Sequence, residues 1–94
     1  MKDKDYVAVS FVDDKEMQKL NKKYKDKGKP TDVLSFPVSE KMEGGKFYVG
    51  DIVVNVEQAK RQAKEYGNTY EEEIAQLVAH GMLHLQGVHH EGDQ

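Results

Sequence analysis

Two histidines one helical turn apart are the residues of this chain best suited to chemistry. Gly81, Met82 and Leu83 separate His80 from His84, so on a helix both imidazoles project from the same side. Gly87 follows, a residue able to take a left-handed conformation and end that helix. The chain then carries His89 and His90, which completes its set of 4 histidines. A reversal at Gly87 brings His90, or His89, back toward the pair. Three neutral imidazoles converging on one point make a site for a first-row divalent metal, zinc first among them, with one position open to water.

The frame H-x3-H-x5-H over His80, His84 and His90 also matches the ligand spacing of the metzincin zinc signature. Zincin peptidase chemistry needs a glutamate directly after the first histidine, and Gly81 stands there. A zinc metallopeptidase built on this frame would need its base from elsewhere, such as Glu91. The plainer alternative is a cluster of unliganded histidines at a helix end, where imidazolium suits the helix dipole. Single histidines do that job without the spacing, which favours the metal.

Composition narrows the rest. A chain of 94 residues fits one small domain with a modest core, to which a bound metal would add stability. With 0 cysteines there are neither disulfides nor thiolate ligands, which suits a cytoplasmic protein. No apolar run reaches membrane-spanning length, and the opening residues are too polar for a signal peptide, so no membrane partner is expected. The net charge of -3 means that any nucleic-acid binding uses a local patch. Lys22, Lys23, Lys25, Lys27 and Lys29 make such a patch, or else a solvated helix face.

The elements that must position these groups follow from periodicity. Val7, Val9 and Phe11 alternate with Ala8 and Ser10 as a strand. Asp13 and Glu16 resemble a capping box opening a helix whose apolar stripe is Met17, Leu20 and Tyr24. Residues 31–38 (TDVLSFPV) and 49–54 (VGDIVV) read as two antiparallel strands joined by a hairpin loop over 43–46. Pro37 marks an end or an edge. Thr31, Asp32, Ser35 and Asp51 are read as turn and strand residues. Asn55 caps a second helix with Val56, Ala59, Ala63 and Tyr66 as its buried stripe, ended by Gly67. Thr69 and Glu72 form a second capping box. The last helix spans about 70–86 with Ile74, Leu77, Val78, Gly81 and Leu85 on one face. Leu83 lies off that face, so both sides of this helix are expected to be covered. The order βαββαα implies an α+β fold, a small mixed sheet with helices packed on it and the metal site at the end of the last helix.

Three segments together resemble the bacterial rRNA maturation factor, or endoribonuclease YbeY, family. They are LNKKYK (20–25) followed by TDVLSFP (31–37), GDIV (50–53) and HGMLHLQGVHH (80–90). They stand in the family's order, and the glycine after the first histidine belongs to its motif. The resemblance runs from Tyr6 onward and makes residues 1–94 a single metal-binding, endoribonuclease-like domain. It implies a metal-dependent endoribonuclease specific for single-stranded RNA, acting in 16S rRNA 3′-end maturation and ribosome quality control. The implied partners are RNA and the ribosome, and the implied cofactor is one divalent ion, Zn2+ first. Carried over by position, the ligands are His80, His84 and His90, and Lys25 occupies the place of a cleft arginine. Lysine keeps the charge there but lacks the planar fork that grips a phosphate. The family usually has aspartate where His89 stands. It also implies a strand and helix before the first segment and a helix after the last histidine, so this chain is expected to be a naturally short, a truncated or a redesigned member. A metal-stabilised ribosome-binding module with little turnover is the non-enzymatic alternative.

Overall fold

The computed structural model describes residues 4–25 and 31–87, with the side chains of Lys23, Tyr24 and Lys25 outside that description. Its elements run β1 (Asp5–Val12), α1 (Asp14–Lys25), β2 (Val33–Lys41), β3 (Phe47–Asn55), α2 (Val56–Tyr66) and α3 (Tyr70–Leu85), which is the expected order. A 3-10 turn at Glu43–Gly45 joins β2 to β3, with Met42 N–H donating to the Lys46 carbonyl at 2.8 Å.

The sheet is mixed, in the order β1-β3-β2. The β2–β3 hairpin is antiparallel, and the crossover from β1 leaves β3 parallel to β1. β3 is the central strand and is covered on both faces. Ile52 and Val54 point to one face and form a core with Ala59 of α2 and Leu77 of α3. Val53 points to the other, where it meets Met17 of α1 and Leu34 of β2. This two-sided burial follows from the period of 2 along a strand that is apolar at successive positions.

β2 is an edge strand, so Pro37, which has no N–H to give to a ladder, is tolerated within it. The strand runs past the expected end at Val38 to Lys41, and its register slips between Pro37 and Glu40. Ser39 takes a positive φ of 57° in that irregular stretch.

The helix stripes are largely as the spacing predicts. Met17, Ala59, Ala63 and Leu77 are buried. Two positions differ. Tyr66 is 63% exposed, because α2 touches the core through its two alanines and its last turn extends beyond them. Leu83 is 48% exposed. It lies two residues, about 200° of helix rotation, from the residue that faces the sheet, so α3 is covered on one side only among the described residues. No helix among the described residues is long and apolar enough to cross a membrane.

Candidate functional site

Caps at both ends fix the register of α3. At its start the Thr69 hydroxyl accepts the Glu72 N–H at 3.0 Å, and the Glu72 carboxylate accepts the Thr69 N–H at 2.7 Å. This is the capping box the sequence predicts. At its end Gly87 has φ of 79°, and its N–H donates to the His84 carbonyl at 3.1 Å. The left-handed residue required for a reversal therefore lies three residues after the second histidine.

His80 and His84 lie side by side on the exposed face of α3, with ring centroids 5.6 Å apart and planes tilted by 35°. Two adjacent imidazoles facing solvent, three residues before a left-handed glycine, suit a divalent metal of borderline softness. They are two of the three residues expected as donors. The third, His90, and its rival His89 lie outside the described residues. Within the described residues no group of three or more histidine, cysteine, aspartate or glutamate side chains gathers that would hold a metal. Lys25 is the last residue of α1.

Gly81 explains why the residue after the first histidine carries no side chain. A Cβ there would stand 2.9 Å from Ile52 Cγ2, 3.1 Å from Cγ1 and 3.2 Å from Cδ1. Position 81 is therefore a point of close approach of α3 to β3. A glutamate at 81 would point into the sheet and away from the histidines, so the peptidase base is absent for a packing reason. Gly50 plays the matching part on β3, where a Cβ would stand 2.7 Å from Leu85 Cδ2 and 2.5 Å from the Phe36 carbonyl.

Several polar groups go beyond what the sequence suggests. Ser35, read as a strand residue, donates its hydroxyl to the Gly81 carbonyl at 3.3 Å. Asn55 is fully buried and ties four segments together. Its Oδ1 accepts the N–H groups of Glu57 and Gln58 at 3.0 and 3.1 Å, capping α2 as expected. Its Nδ2 donates to Asp14 Oδ1 at 2.8 Å and to the Thr31 carbonyl at 3.1 Å. Asp14 also accepts two hydrogen bonds from Arg61, at 2.9 and 2.7 Å. The Arg61 guanidinium and then Asn55 hold the Asp14 carboxyl below its ordinary pKa. Glu73 is buried on α3, its carboxylate accepting from Gln62 at 2.9 Å and Asn68 at 3.1 Å. On the α1 side of the sheet, Tyr6 and Tyr48 stack with centroids 4.7 Å apart, and the Tyr48 hydroxyl donates to Asp51. That hydrogen bond and burial push the Tyr48 phenol up to about 12. A bulge makes the contact possible. Tyr6 pairs with Tyr48 while Val7 pairs with Gly50, so Val49 is the extra residue and Tyr48 and Asp51 share a face.

The chain is similar to known proteins in sequence and in fold. A sequence profile described as Endoribonuclease YbeY matches residues 1–94. A protein of that description from Aquifex aeolicus is 48% identical over 85 residues, covering 90% of this chain and 56% of the relative. Another, from Caldanaerobacter subterraneus subsp. tengcongensis, is 46% identical over 99 residues, covering 94% of this chain and 63% of the relative. The solution structure of TM1509 from Thermotoga maritima superposes with a TM-score of 0.60 at 36% identity, over 84% of this chain and 49% of that one. The chain thus spans between 49% and 63% of the length of these three relatives.

Proposed function

The chain belongs to the endoribonuclease YbeY family, and from that premise we propose that it is a metal-dependent endoribonuclease acting on single-stranded RNA. Its substrate is the 3′ end of 16S rRNA, cut during ribosome maturation and quality control in the cytoplasm. The observation that carries this reading is the His80–His84 pair, aligned on the exposed side of α3 and followed by the left-handed Gly87.

His80, His84 and His90 would hold one divalent ion, zinc first. When bound, the ion supplies Lewis acidity toward a phosphoryl oxygen and lowers the pKa of water. The protein's own part is positioning and charge. The histidine pair faces solvent, so a polymer can reach it without a cavity opening. Lys25, ending α1, offsets negative charge on the phosphate, as an ammonium that makes point contacts rather than a planar fork. Lys22 is exposed on the same helix and extends the cationic surface along which a backbone can lie. The packing of Gly81 against Ile52 weighs against the metallopeptidase alternative, since no carboxylate can follow the first histidine there.

The test pairs metal analysis with cleavage assays on one purified sample. Wild type is expected to carry stoichiometric metal and to cut single-stranded RNA, with chelator abolishing cleavage and casein left intact. His84→Ala is expected to lose both metal and cleavage. Metal without cleavage would identify a binding module. Equal metal in wild type and His84→Ala would remove the site.

A further inference from the structure

The stretch of α3 that carries the histidine pair is held on the sheet by contacts that alternate with the histidines. Gly81 sits against Ile52 of β3, and Leu85 covers Gly50 of the same strand. Positions 81 and 85 face the sheet, while 80 and 84, one residue earlier in each turn, face solvent. The direction of the imidazoles is therefore set by the rotation of α3 about its own axis. The packing of Gly81 on Ile52 sets that rotation by fit of shape, without a directional bond. Ser35 adds a directional tie. Its hydroxyl, projecting from β2, donates to the Gly81 carbonyl at 3.3 Å, within the turn bounded by the two histidines. A carbonyl oxygen engaged within a helix keeps a second lone pair, which is the one this hydroxyl uses.

We propose that Ser35 is a positioning residue for the metal pair, fixing the rotation of α3 so that both imidazoles stay aimed at one point. The inference rests on the reading of His80 and His84 as ligands. Its effect is exerted on the helix rather than on an imidazole. The expected loss is therefore about three- to tenfold in metal affinity, below the range seen when a group bonded directly to a ligand is removed.

The experiment is a zinc titration of the full chain against a chromophoric competing chelator, with melting of the metal-free form measured alongside. The variants are Ser35→Ala, Ser35→Thr and Thr69→Ala. Thr69→Ala removes the cap at the far end of α3 and serves as a control for general loss of stability. Ser35→Ala is expected to bind zinc about three- to tenfold more weakly than wild type. Ser35→Thr, which keeps the hydroxyl, is expected to bind as wild type does. Thr69→Ala is expected to melt lower with zinc affinity unchanged. Wild-type affinity in Ser35→Ala, an equal loss in Thr69→Ala, or no recovery in Ser35→Thr overturns the proposal. Wild-type protein that takes up no zinc overturns the ligand reading itself, and the inference falls with it.

Discussion

Replacing Gly81 with alanine tests whether the approach of α3 to the sheet is as close as the geometry requires. Two effects oppose each other. Alanine in a helix interior is better than glycine by about 0.5–1 kcal/mol. Against that, the new methyl would stand 2.9, 3.1 and 3.2 Å from three atoms of one buried side chain, Ile52. Ile52 is fully buried and belongs to the core, so it has little room to yield. Overpacking of this kind costs about 1–3 kcal/mol. The net expectation for Gly81→Ala is a loss of about 1 kcal/mol, with a melting temperature lower by roughly 4–8 °C for a domain of this size. Urea unfolding of a double-mutant cycle reads the mechanism directly. Ile52→Val removes only Cδ1, the most distant of the three atoms, and should give little relief. Ile52→Ala removes all three contacting atoms, and in that background Gly81→Ala should become stabilising by about 0.5–1 kcal/mol. Ala79→Gly, on the exposed side of the same helix, calibrates the propensity difference. If Gly81→Ala raises stability by as much as Ala79→Gly lowers it, the glycine is not a packing slot and the reasoning fails.

Three further outcomes follow from groups around the site. Asn55→Ala should cost about 2–3 kcal/mol in urea unfolding, since it removes the α2 cap and two further hydrogen bonds. Asn55→Asp should fail to rescue it despite equal capping ability, because it loses the donor and sets a second carboxylate beside Asp14. The depressed Asp14 pKa contributes stability that is present above the unfolded value, near 3.8, and lost as pH falls through the lower folded value. The stability gap between wild type and Asp14→Asn should therefore be full at neutral pH and shrink in acid, and a gap that persists in strong acid contradicts the assignment. The Tyr48 phenol keeps its proton up to about 12, so its contribution is fully present below the unfolded value of 10.0 and lost as pH rises through about 12. An absorbance titration should show this late ionisation, and both Tyr48→Phe and Asp51→Asn should abolish it.

What the sequence makes legible here is what is local. A threonine three residues before a glutamate, an asparagine before an apolar stripe and a glycine after one are signals contained within a single turn of chain. Each of Thr69, Asn55 and Gly67 caps as read. The His80–His84 pair is legible for the same reason, since a spacing of four on a helix fixes a shared side. The features that escape are those whose partner lies far along the chain. Gly81 looks like a helix weakener until Ile52 is seen beneath it. Ser35 looks like an ordinary strand residue until Gly81 is seen above it. Tyr48 and Asp51, three apart, fall on opposite faces of a regular strand, and only the bulge at Val49 brings them together. Tyr66 and Leu83 are apolar enough to suggest burial, but exposure depends on where the neighbouring elements stop. His90, His89 and the Lys25 side chain belong to the proposed site and lie outside the described residues, so the ligand assignment there rests on spacing and family.

The most direct test of the central claim is cleavage of an end-labelled single-stranded RNA by protein stripped with chelator, followed as zinc is returned in sub-stoichiometric steps. If the histidines of α3 hold the ion on which RNA cleavage depends, cleavage should be absent at the start. It should rise linearly to a plateau at one equivalent, and His80→Ala and His84→Ala should show no return at the same zinc concentrations. Full cleavage by the stripped protein, or restored cleavage in either histidine variant, would contradict the account.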